Sequence, residues 1–322
     1  MIEAAVIGLG RWGKSIVEAS RATRLRIIRG VSKEPELVRD FAAAHGFALG
    51  TEFDEAVADP RVQAVFLATP HSLHVRQIEA VVAARKPVWC EKPLALTLSE
   101  AERAVAACRA AGVPFGLGNN YLCFASMREL KRVVAGGGFG EVLHIEGHFS
   151  NEHSTRVTGG WRDDPAESPG GGLTGAGLHL IDALIHLGGP IARVDARLFA
   201  RKAPPDPRDV ASVLAEFSSG ATAQIATVRA APMYWRVHVF GTKGWAEARD
   251  EVTLTVARLG EAPVTQTFPQ VDSLAVLLEA FAESVETGKP FVVTTDEMLD
   301  VVAAFEAAIQ SMQEKQPIQV AR

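Results

Sequence analysis

Three glycines at a fixed spacing follow the first apolar segment of the chain. Residues 2–7 are an apolar run that predicts a strand, and Gly8, Gly10 and Gly13 come next, where a helical pattern over 13–22 begins. A glycine-rich turn in this position brings backbone N–H groups close to a pyrophosphate, and the N-terminus of the following helix adds partial positive charge. This order of residues therefore predicts a phosphate-binding turn.

The same eight residues fit two phosphate-binding patterns. One is the G-x-G-x-x-G fingerprint of dinucleotide-binding proteins, and the other is the G-x-x-x-x-G-K-S loop of nucleotide hydrolases. A hydrolase of that class also needs an aspartate at the end of a second apolar strand, where it binds magnesium. The strand predicted over 62–68 ends in Thr69-Pro70 instead. The hydrolase pattern then depends on Lys14 and Ser15 alone, and these are also typical of a solvent-exposed first helical turn.

A dinucleotide-binding turn predicts a ribose-contacting residue about 20 positions after the glycines. Ser32 and Lys33 stand there, at the end of the strand predicted over 25–31. A carboxylate in this place would bind the ribose 2′-hydroxyl of NAD and repel the 2′-phosphate of NADP, whereas hydroxyl and ammonium groups do the opposite. The pair therefore favours NADP(H), with NAD(H) as the alternative. An ordinary polar turn between a strand and a helix is the other interpretation of these two residues.

Composition and charge narrow the class of protein. The chain has 322 residues, which is long for a single hydrophobic core and predicts two domains. Its formal net charge is −5 and it has no basic run, so we expect no nucleic-acid partner. Neither a long uninterrupted apolar stretch nor a signal peptide is evident, so we expect no membrane span. Three cysteines without metal-binding spacing are typical of the reducing cytoplasm.

Hydrophobic patterns divide the chain near residue 122. Before it, short apolar runs alternate with helical patterns, which predicts a parallel sheet with helices on both faces. After it, period-two runs follow one another directly, which predicts an α+β domain with an open, largely antiparallel sheet. We therefore expect an α/β protein with a dinucleotide-binding domain over 1–122 and a second domain over 123–322. The predicted strands are 2–7, 25–31, 62–68, 87–90, 113–118, 142–149, 191–199, 210–217, 221–229 and 234–240. The predicted helices are 13–22, 34–45, 71–84, 97–111, 125–135, 273–287 and 296–313.

Seven segments, spread over essentially the full length, carry further motifs in a fixed order. They are Gly8-Leu9-Gly10-Arg11-Trp12-Gly13, Ala68-Thr69-Pro70-His71-Ser72-Leu73-His74, Glu91-Lys92-Pro93-Leu94-Ala95, Gly118-Asn119-Asn120-Tyr121, Gly170-Gly171-Gly172, Gly177-Leu178-His179-Leu180-Ile181-Asp182 and Phe240-Gly241-Thr242-Lys243-Gly244. In this order and spacing they resemble the glucose–fructose oxidoreductase / inositol dehydrogenase (Gfo/Idh/MocA) family. The resemblance implies an N-terminal Rossmann domain, then an α/β domain whose open sheet forms a homodimer or homotetramer interface. The implied activity is hydride transfer between a nicotinamide cofactor and a hydroxyl or carbonyl carbon of a sugar, cyclitol or related small molecule.

The resemblance also implies which residues form the site. Lys92 is implied to lie beside the nicotinamide and the substrate oxygen, and His179 to complete the catalytic pair. Together with the two residues at the ribose position, the expected cofactor-binding residues are Gly8, Gly10, Arg11, Trp12, Gly13, Ser32, Lys33, Thr69, Pro70, His74, Glu91, Lys92 and Asn120. The residues expected near the substrate are Trp161, Arg162, Asp163 and Asp182.

Lys92 and His179 have the chemistry that hydride transfer requires. Oxidation of an alcohol releases the hydroxyl proton as the carbonyl forms, so a base must reach the oxygen. Burial and a positively charged nicotinamide ring would both favour the neutral amine of Lys92, and its ammonium form would donate the proton in the reductive direction. His179 would hydrogen-bond the reacting oxygen or share its proton with Lys92.

Two positions depart from the family pattern. Many members have an aspartate four residues before the histidine, whereas this chain has Gly175. Leu122-Cys123 stands where members often have Arg-Phe after the tyrosine. Because glycine offers neither charge nor a side-chain hydrogen bond, the role of the missing carboxylate is either lost or taken over by Asp163 or Asp164.

Two alternative functions stay open, and a metal site is not expected. A tightly bound cofactor could support elimination, hydrolysis or epimerisation through transient oxidation, as in some members of the family. A non-catalytic dinucleotide sensor would suit Gly175, although the presence of Lys92 and His179 argues against it. His179, Asp182 and His186 would share one helix face and could bind a metal, but no further ligand motif accompanies them, so we expect no metal.

Overall fold

The computed structural model of the protein describes residues 1–152, 160–201 and 206–322. These residues form two compact units. The first unit comprises 1–120 and 272–295, and the second comprises 121–271 and 296–322. The domain limits 1–122 and 123–322 stay a prediction, and the compact units differ from them by grouping 272–295 with the N-terminal residues.

A six-stranded parallel sheet forms the centre of the first unit, in the order β3-β2-β1-β4-β5-β6. Its strands are β1 (Ile2–Ile7), β2 (Leu25–Val31), β3 (Ala48–Gly50), β4 (Ala64–Leu67), β5 (Val88–Cys90) and β6 (Phe115–Leu117). Its helices are α1 (Arg11–Ser20), α2 (Arg39–His45), α3 (Phe53–Ala58), α4 (His74–Ala83), α5 (Leu98–Ala111) and α8 (Ser273–Thr287). This is the predicted Rossmann-type arrangement, which the structure confirms.

The strand order reverses between β1 and β4. In open α/β sheets, ligands bind beyond the carboxyl ends of the strands at such a reversal. Both strands are almost entirely apolar and buried, as parallel strands covered on both faces must be. The sequence pattern does not predict β3 or α3, because a strand of three residues and a helix of six residues are both too short to show a recognisable period.

The second unit contains a nine-stranded mixed sheet in the order β14-β13-β12-β11-β7-β10-β9-β8-β15. All neighbouring strands are antiparallel except β7 and β10, which confirms the predicted largely antiparallel sheet. The strands are β7 (Val142–Asn151), β8 (Ile191–Phe199), β9 (Val210–Phe217), β10 (Thr222–Arg229), β11 (Tyr234–Gly241), β12 (Gly244–Arg249), β13 (Thr253–Arg258), β14 (Val264–Thr267) and β15 (Ile318–Gln319). The helices are α6 (Ala125–Ala135), α7 (Leu178–Gly188) and α9 (Thr295–Glu314).

Helix α7 is buried along nearly its whole length and packs on the nine-stranded sheet. A Cβ atom at Gly147 of β7 would lie 3.1 Å from the Leu180 side chain and 3.2 Å from that of Leu184, so the glycine allows the helix to approach closely. The opposite face of the sheet carries the half-exposed, mostly polar residues of the alternating strands. Over the ranges that the structure describes, no helix is both long and apolar enough to cross a membrane.

Candidate functional site

The glycine turn after β1 is shaped by backbone contacts that only glycine allows. Gly8 has a φ of +89°, and a Cβ atom there would lie 2.5 Å from the carbonyl oxygen of Ala68. A Cβ atom at Gly13 would lie 1.9 Å from the carbonyl oxygen of Gly8, so this glycine lets α1 start directly against the end of β1. A Cβ atom at Gly10 would meet nothing within 4 Å. The turn is thus packed on one side and open at Gly10.

The N-terminus of α1 fits a pyrophosphate group. Its N-cap is Gly10, which contributes no side-chain hydrogen bond, and its first turn contains no acidic residue. The first N–H groups of a helix have no partner within the helix, so together with the helix dipole they favour an anion. Because the space beside Gly10 is open, a phosphate could approach these groups. The residues present therefore fit the dinucleotide that the fingerprint implies.

The side chains that would make this turn a nucleotide-hydrolase loop are directed elsewhere. The Ser15 hydroxyl donates to the carbonyl of Arg11 at 3.1 Å, within the helix. The Lys14 ammonium lies 5.5 Å from the ring centroid of Phe41. Arg11 is exposed, with its guanidinium 5.5 Å from the ring centroid of Trp12. The structure therefore favours the dinucleotide pattern over the hydrolase pattern.

Ser32 and Lys33 lie at the same edge of the sheet as the glycine turn. The N–H of Gly8 donates to the carbonyl of Val31 at 2.9 Å, and Ser32 follows directly. The Ser32 hydroxyl oxygen accepts from the N–H of Glu34 at 3.2 Å, and the Lys33 side chain is exposed. An ammonium group is thus available beside the turn.

Lys92 projects from a loop that begins at the carboxyl end of β5. The N–H of Glu91 donates to the carbonyl of Leu67 at 2.8 Å, which ties the loop to β4. The Lys92–Pro93 peptide bond is cis, and Lys92 is half-buried. The Glu91 carboxyl is buried, and a Cβ atom at Gly118 would lie 3.0 Å from its Oε2, so the glycine leaves room for this carboxyl group.

His74 connects the loop after β4 with the Lys92 loop. Its ring Nδ1 lies 2.7 Å from the carbonyl oxygen of Pro93, and its Nε2 lies 3.0 Å from that of Thr69. The Thr69 hydroxyl donates to Oε1 of Gln77 at 2.5 Å. The His74 side chain has no solvent exposure, so its ring serves the chain's own backbone. Contacts of Thr69, Pro70 and His74 with a cofactor stay predictions.

The two asparagines after β6 differ in their surroundings. The side-chain amide of Asn120 donates to the Ser273 hydroxyl at 3.0 Å, and both residues are buried. Nδ2 of Asn119 is also buried, and among the described residues it has no hydrogen-bond partner. Asn120 stays a predicted cofactor-binding residue. Asn119, which the sequence did not single out, provides a second buried amide next to it.

His179 lies in the second unit, on α7, and is 4% exposed. Its ring stacks on that of Tyr121, with centroids 4.2 Å apart and planes 12° from parallel. Tyr121 in turn contacts Phe149 and Trp235, at centroid distances of 5.3 Å and 5.0 Å. An aromatic cluster therefore fixes the orientation of the imidazole. Tyr121 stands in the Gly118–Tyr121 motif, but nothing in the sequence pairs it with His179.

Asp182 and His186, which share a face of α7 with His179, have different neighbours. Asp182 is buried, and burial raises the pKa of the neighbouring Cys123 thiol to about 12, with a smaller contribution from the Asp182 charge. Nδ1 of His186 lies 2.9 Å from Oε1 of Glu297 on α9. In the parts of the chain that the structure covers, no group of three or more histidine, cysteine, aspartate or glutamate side chains could hold a metal ion.

The glycine segment before α7 is held by a buried ion pair. Asp209 accepts from the N–H of Gly172 at 3.1 Å and 3.2 Å through its two oxygens, and it pairs with Arg229 at 3.3 Å. A Cβ atom at Gly171, whose φ is +53°, would lie 2.1 Å from the same carboxylate. Burial raises the pKa of Asp209, although Arg229 and the Gly172 N–H act in the opposite direction. The sequence carries no signal for this carboxylate, because nothing in it connects Asp209 with glycines 37 residues earlier.

The residues expected near the substrate are only partly described. Trp161 and Arg162 lie in a short helical turn, with the guanidinium 4.1 Å from the ring centroid of Trp161. The Asp163 side chain and residues 153–159 lie outside what the structure describes. Asp164 accepts from the N–H of Ala166 at 2.9 Å and so caps the next turn. The expectation that either aspartate replaces the missing carboxylate stays a prediction.

Comparison with known proteins connects both units to one family. Residues 2–119 match "Oxidoreductase family, NAD-binding Rossmann fold", and residues 127–247 match "GFO/IDH/MocA C-terminal domain". The chain is 26% identical over 339 aligned positions to "Uncharacterized oxidoreductase YrbE" of Bacillus subtilis, covering 99% of this chain and 96% of the relative. It is 28% identical to D-xylose 1-dehydrogenase (NADP(+)) 2 of Haloferax volcanii, covering 92% of this chain and 93% of the relative.

A solved structure agrees over both units. It is described as a "putative nadph-dependent oxidoreductase" from Desulfitobacterium hafniense, and it has a TM-score of 0.90 and 28% identity over 99% of this chain and 98% of that one. The matches therefore extend over the phosphate-binding turn, the Lys92 loop and the His179 helix together. The chain belongs to the Gfo/Idh/MocA family and is an NAD(P)-dependent oxidoreductase.

Proposed function

We propose that the protein transfers hydride between NADP(H) and a hydroxyl or carbonyl carbon of a sugar, cyclitol or related small molecule. The observation that carries the proposal is the open space beside Gly10 at an uncapped helix N-terminus, because it fits a dinucleotide pyrophosphate. The relative from Haloferax volcanii is a D-xylose dehydrogenase, which supports the substrate class.

Lys92 is the acid/base in this proposal, and His179 is the hydrogen-bond partner of the reacting oxygen. When bound, the nicotinamide supplies or accepts the hydride. The neutral amine of Lys92 takes the hydroxyl proton during oxidation, and its ammonium form returns it during reduction. The stacked Tyr121 ring holds the imidazole of His179 in one orientation, so that a hydrogen bond to the oxygen needs no reorganisation.

Replacing the proposed acid/base tests the mechanism. Lys92→Met should lower kcat by about 10²–10⁴-fold, the usual contribution of general acid–base catalysis. Lys289→Met removes a surface lysine of the same unit, whose side chain is 67% exposed, and should leave kcat unchanged. Steady-state assays over sugars, cyclitols and their keto forms supply the rates. Near-normal turnover and an unchanged pH profile in Lys92→Met would rule out this role for Lys92.

Cofactor consumption in the same assays separates the proposal from its alternatives. A dehydrogenase consumes one NADP⁺ for each product formed, which absorbance of the reduced nicotinamide reports. Turnover without net consumption would instead indicate redox-assisted elimination, hydrolysis or epimerisation. Cofactor binding without turnover of any substrate would indicate a sensor.

The preference for NADP(H) follows from the groups after β2. A charge-assisted contact with phosphate contributes about 1.5–3 kcal/mol, so one contact from Ser32 or Lys33 gives at least about a tenfold preference. Fluorescence titration of NADPH and NADH measures it directly. Lys33→Met should bring the two dissociation constants closer together by weakening NADPH alone. Equal affinities in the wild-type protein, or tighter binding of NADH, would contradict the proposal.

A second copy of the chain is the proposed partner, bound through the open face of the nine-stranded sheet as a homodimer or homotetramer. Two adjacent rows of residues cross this face with opposite charge. The charged members of the basic row are Arg197, Arg236 and Arg249, and those of the acidic row are Asp195, Glu146 and Glu247. A twofold axis between the rows would place each basic row against an acidic row. Light scattering should show an oligomer that Arg236→Glu weakens, and a monomeric wild-type protein would contradict this partner.

A cytoplasmic location is proposed from the cysteines. Cys90, Cys108 and Cys123 are all buried and reduced, and burial raises the pKa of the Cys108 thiol to about 12. Such thiols suit a reducing compartment. Fractionation of cells that produce the tagged protein tests this, and recovery outside the cytoplasmic fraction would contradict it.

A further inference from the structure

We propose that His74 is a buried imidazolium cation that fixes the Lys92–Pro93 segment, and that it is therefore a positioning residue for Lys92. The inference depends on the proposed function only for the role of Lys92. The protonation state and the contacts of His74 concern the protein without any ligand.

The hydrogen-bond partners of His74 determine how many protons its ring carries. Both ring nitrogens face carbonyl oxygens, that of Pro93 at 2.7 Å and that of Thr69 at 3.0 Å. A carbonyl oxygen only accepts hydrogen bonds, so each nitrogen must donate. A neutral imidazole has one N–H, and its other nitrogen would then direct a lone pair at an oxygen lone pair. Only the imidazolium satisfies both contacts.

Two effects oppose a cation here, and two favour it. The side chain has no solvent exposure, and His74 is the first residue of α4, where the helix dipole is positive. Against this, each N⁺–H···O=C contact is charge-assisted, and no water can replace either bond to a completely buried ring. The second favourable effect is the buried carboxyl of Glu91, which lies in the same loop segment, two residues before Pro93. The ring centroid of His71 lies 5.8 Å from that of His74.

The two bonds connect the loops from which the site residues project. Pro93 follows Lys92 directly, so holding its carbonyl limits the movement of the backbone that carries the lysine. Thr69 follows β4, and its side chain is fixed in turn by Gln77. Loss of the ring would release the Lys92 loop without touching the glycine turn. We therefore expect kcat to fall while cofactor affinity stays close to normal.

Nitrogen NMR on the ligand-free protein tests the protonation state. Protein labelled with ¹⁵N at histidine should show two protonated ring nitrogens for one residue at neutral pH, and this signal should be missing in His74→Gln. A His74 signal with one unprotonated nitrogen would overturn the proposal, whatever the enzyme's activity. Because this measurement needs no substrate, its outcome is independent of the proposed dehydrogenase function.

Kinetics test the positioning role. His74→Gln should lower kcat about 10-fold to 100-fold, as a small displacement of a catalytic group does, with the dissociation constant of NADPH within about twofold of wild type. Removing the positive charge should also shift the rising limb of the pH profile for alcohol oxidation to higher pH, because the lysine then loses its proton less readily. His71→Gln, three residues earlier, is the matched control and should change neither. Unchanged kcat and an unmoved pH profile in a folded His74→Gln protein would overturn the positioning role.

Discussion

Glycine-rich segments lead into a helix in each unit, at 8–13 into α1 and at 170–177 into α7, and they are glycine-rich for different reasons. In the first, the backbone itself fills the space: Gly8 packs on a carbonyl of the loop after β4, and Gly13 packs on the carbonyl of Gly8. In the second, a buried carboxylate fills it, because Asp209 occupies the space where Gly171 and Gly172 would place a Cβ atom.

The two segments also share one feature. Each contains a single-residue gap in this packing, at Gly10 and at Gly175, where a Cβ atom would meet nothing within 4 Å. At Gly10 the open space lies beside uncapped N–H groups, which suits a ligand. At Gly175 it lies where many family members have an aspartate. A glycine needed for packing and a glycine beside open space can therefore stand two residues apart.

The carboxylate behind the second segment should have the largest effect on stability. Asp209→Ala would remove the carboxylate that pairs with Arg229, whose side chain is only 14% exposed. Breaking a buried ion pair by removing one partner costs about 3–5 kcal/mol. Urea denaturation should therefore show a strongly lowered free energy of unfolding. Glu129→Ala removes the partner of Arg132, an arginine on α6 whose side chain is 72% exposed, and should cost about 1 kcal/mol or less. Equal losses in both variants would show that Asp209 does not hold the second segment.

Gly13→Ala tests the backbone packing in the first segment. Its Cβ atom would lie 1.9 Å from the carbonyl oxygen of Gly8, so the start of α1 must move. Forcing an extra methyl group into such packing costs about 1–3 kcal/mol, and the displaced N–H groups should also bind NADPH poorly. Thermal melting and NADPH titration measure both effects. A variant with the melting temperature and affinity of the wild type would contradict the packing argument.

These two segments also show what the sequence could predict. The first was predictable because its contacts are local: an apolar strand, the glycines and the helix follow one another within 20 residues. Local contacts also explain why five further elements have the bounds that the sequence patterns predict, since each repeats a single hydrophobic period along its length. These elements are β2, β8, β9, α6 and α8. The residues that hold the site lie far apart in the chain. Asp209 holds glycines 37 residues earlier, and His74 reaches a carbonyl 19 residues later. No period in the sequence encodes such contacts.

Gly10→Ala should affect binding while sparing the fold. The backbone of Gly10 has a φ of −71°, which alanine adopts readily, and its Cβ atom would enter open space. If a pyrophosphate occupies that space, the methyl group should weaken NADPH binding at least about tenfold, or about 1.4 kcal/mol. The melting temperature of the ligand-free protein should stay close to that of the wild type. Unchanged NADPH affinity would show that the phosphate approaches the turn elsewhere.

Gly175→Asp should have the smallest effect on the fold and a specific one on the reaction. Gly175 has no left-handed φ, and a Cβ atom there would meet nothing within 4 Å, so the variant should melt like the wild type. A carboxylate four residues before His179 favours protonated forms of the groups it faces, and alcohol oxidation needs the unprotonated base. The rising limb of kcat/KM against pH should therefore move to higher pH, by up to about one pH unit. Gly138→Asp, at a glycine without a left-handed φ where a Cβ atom would lie 3.7 Å from its nearest neighbour, should leave it in place. A well-folded Gly175→Asp enzyme whose limb stays still or moves to lower pH would show that this gap lies away from the proton-transfer groups.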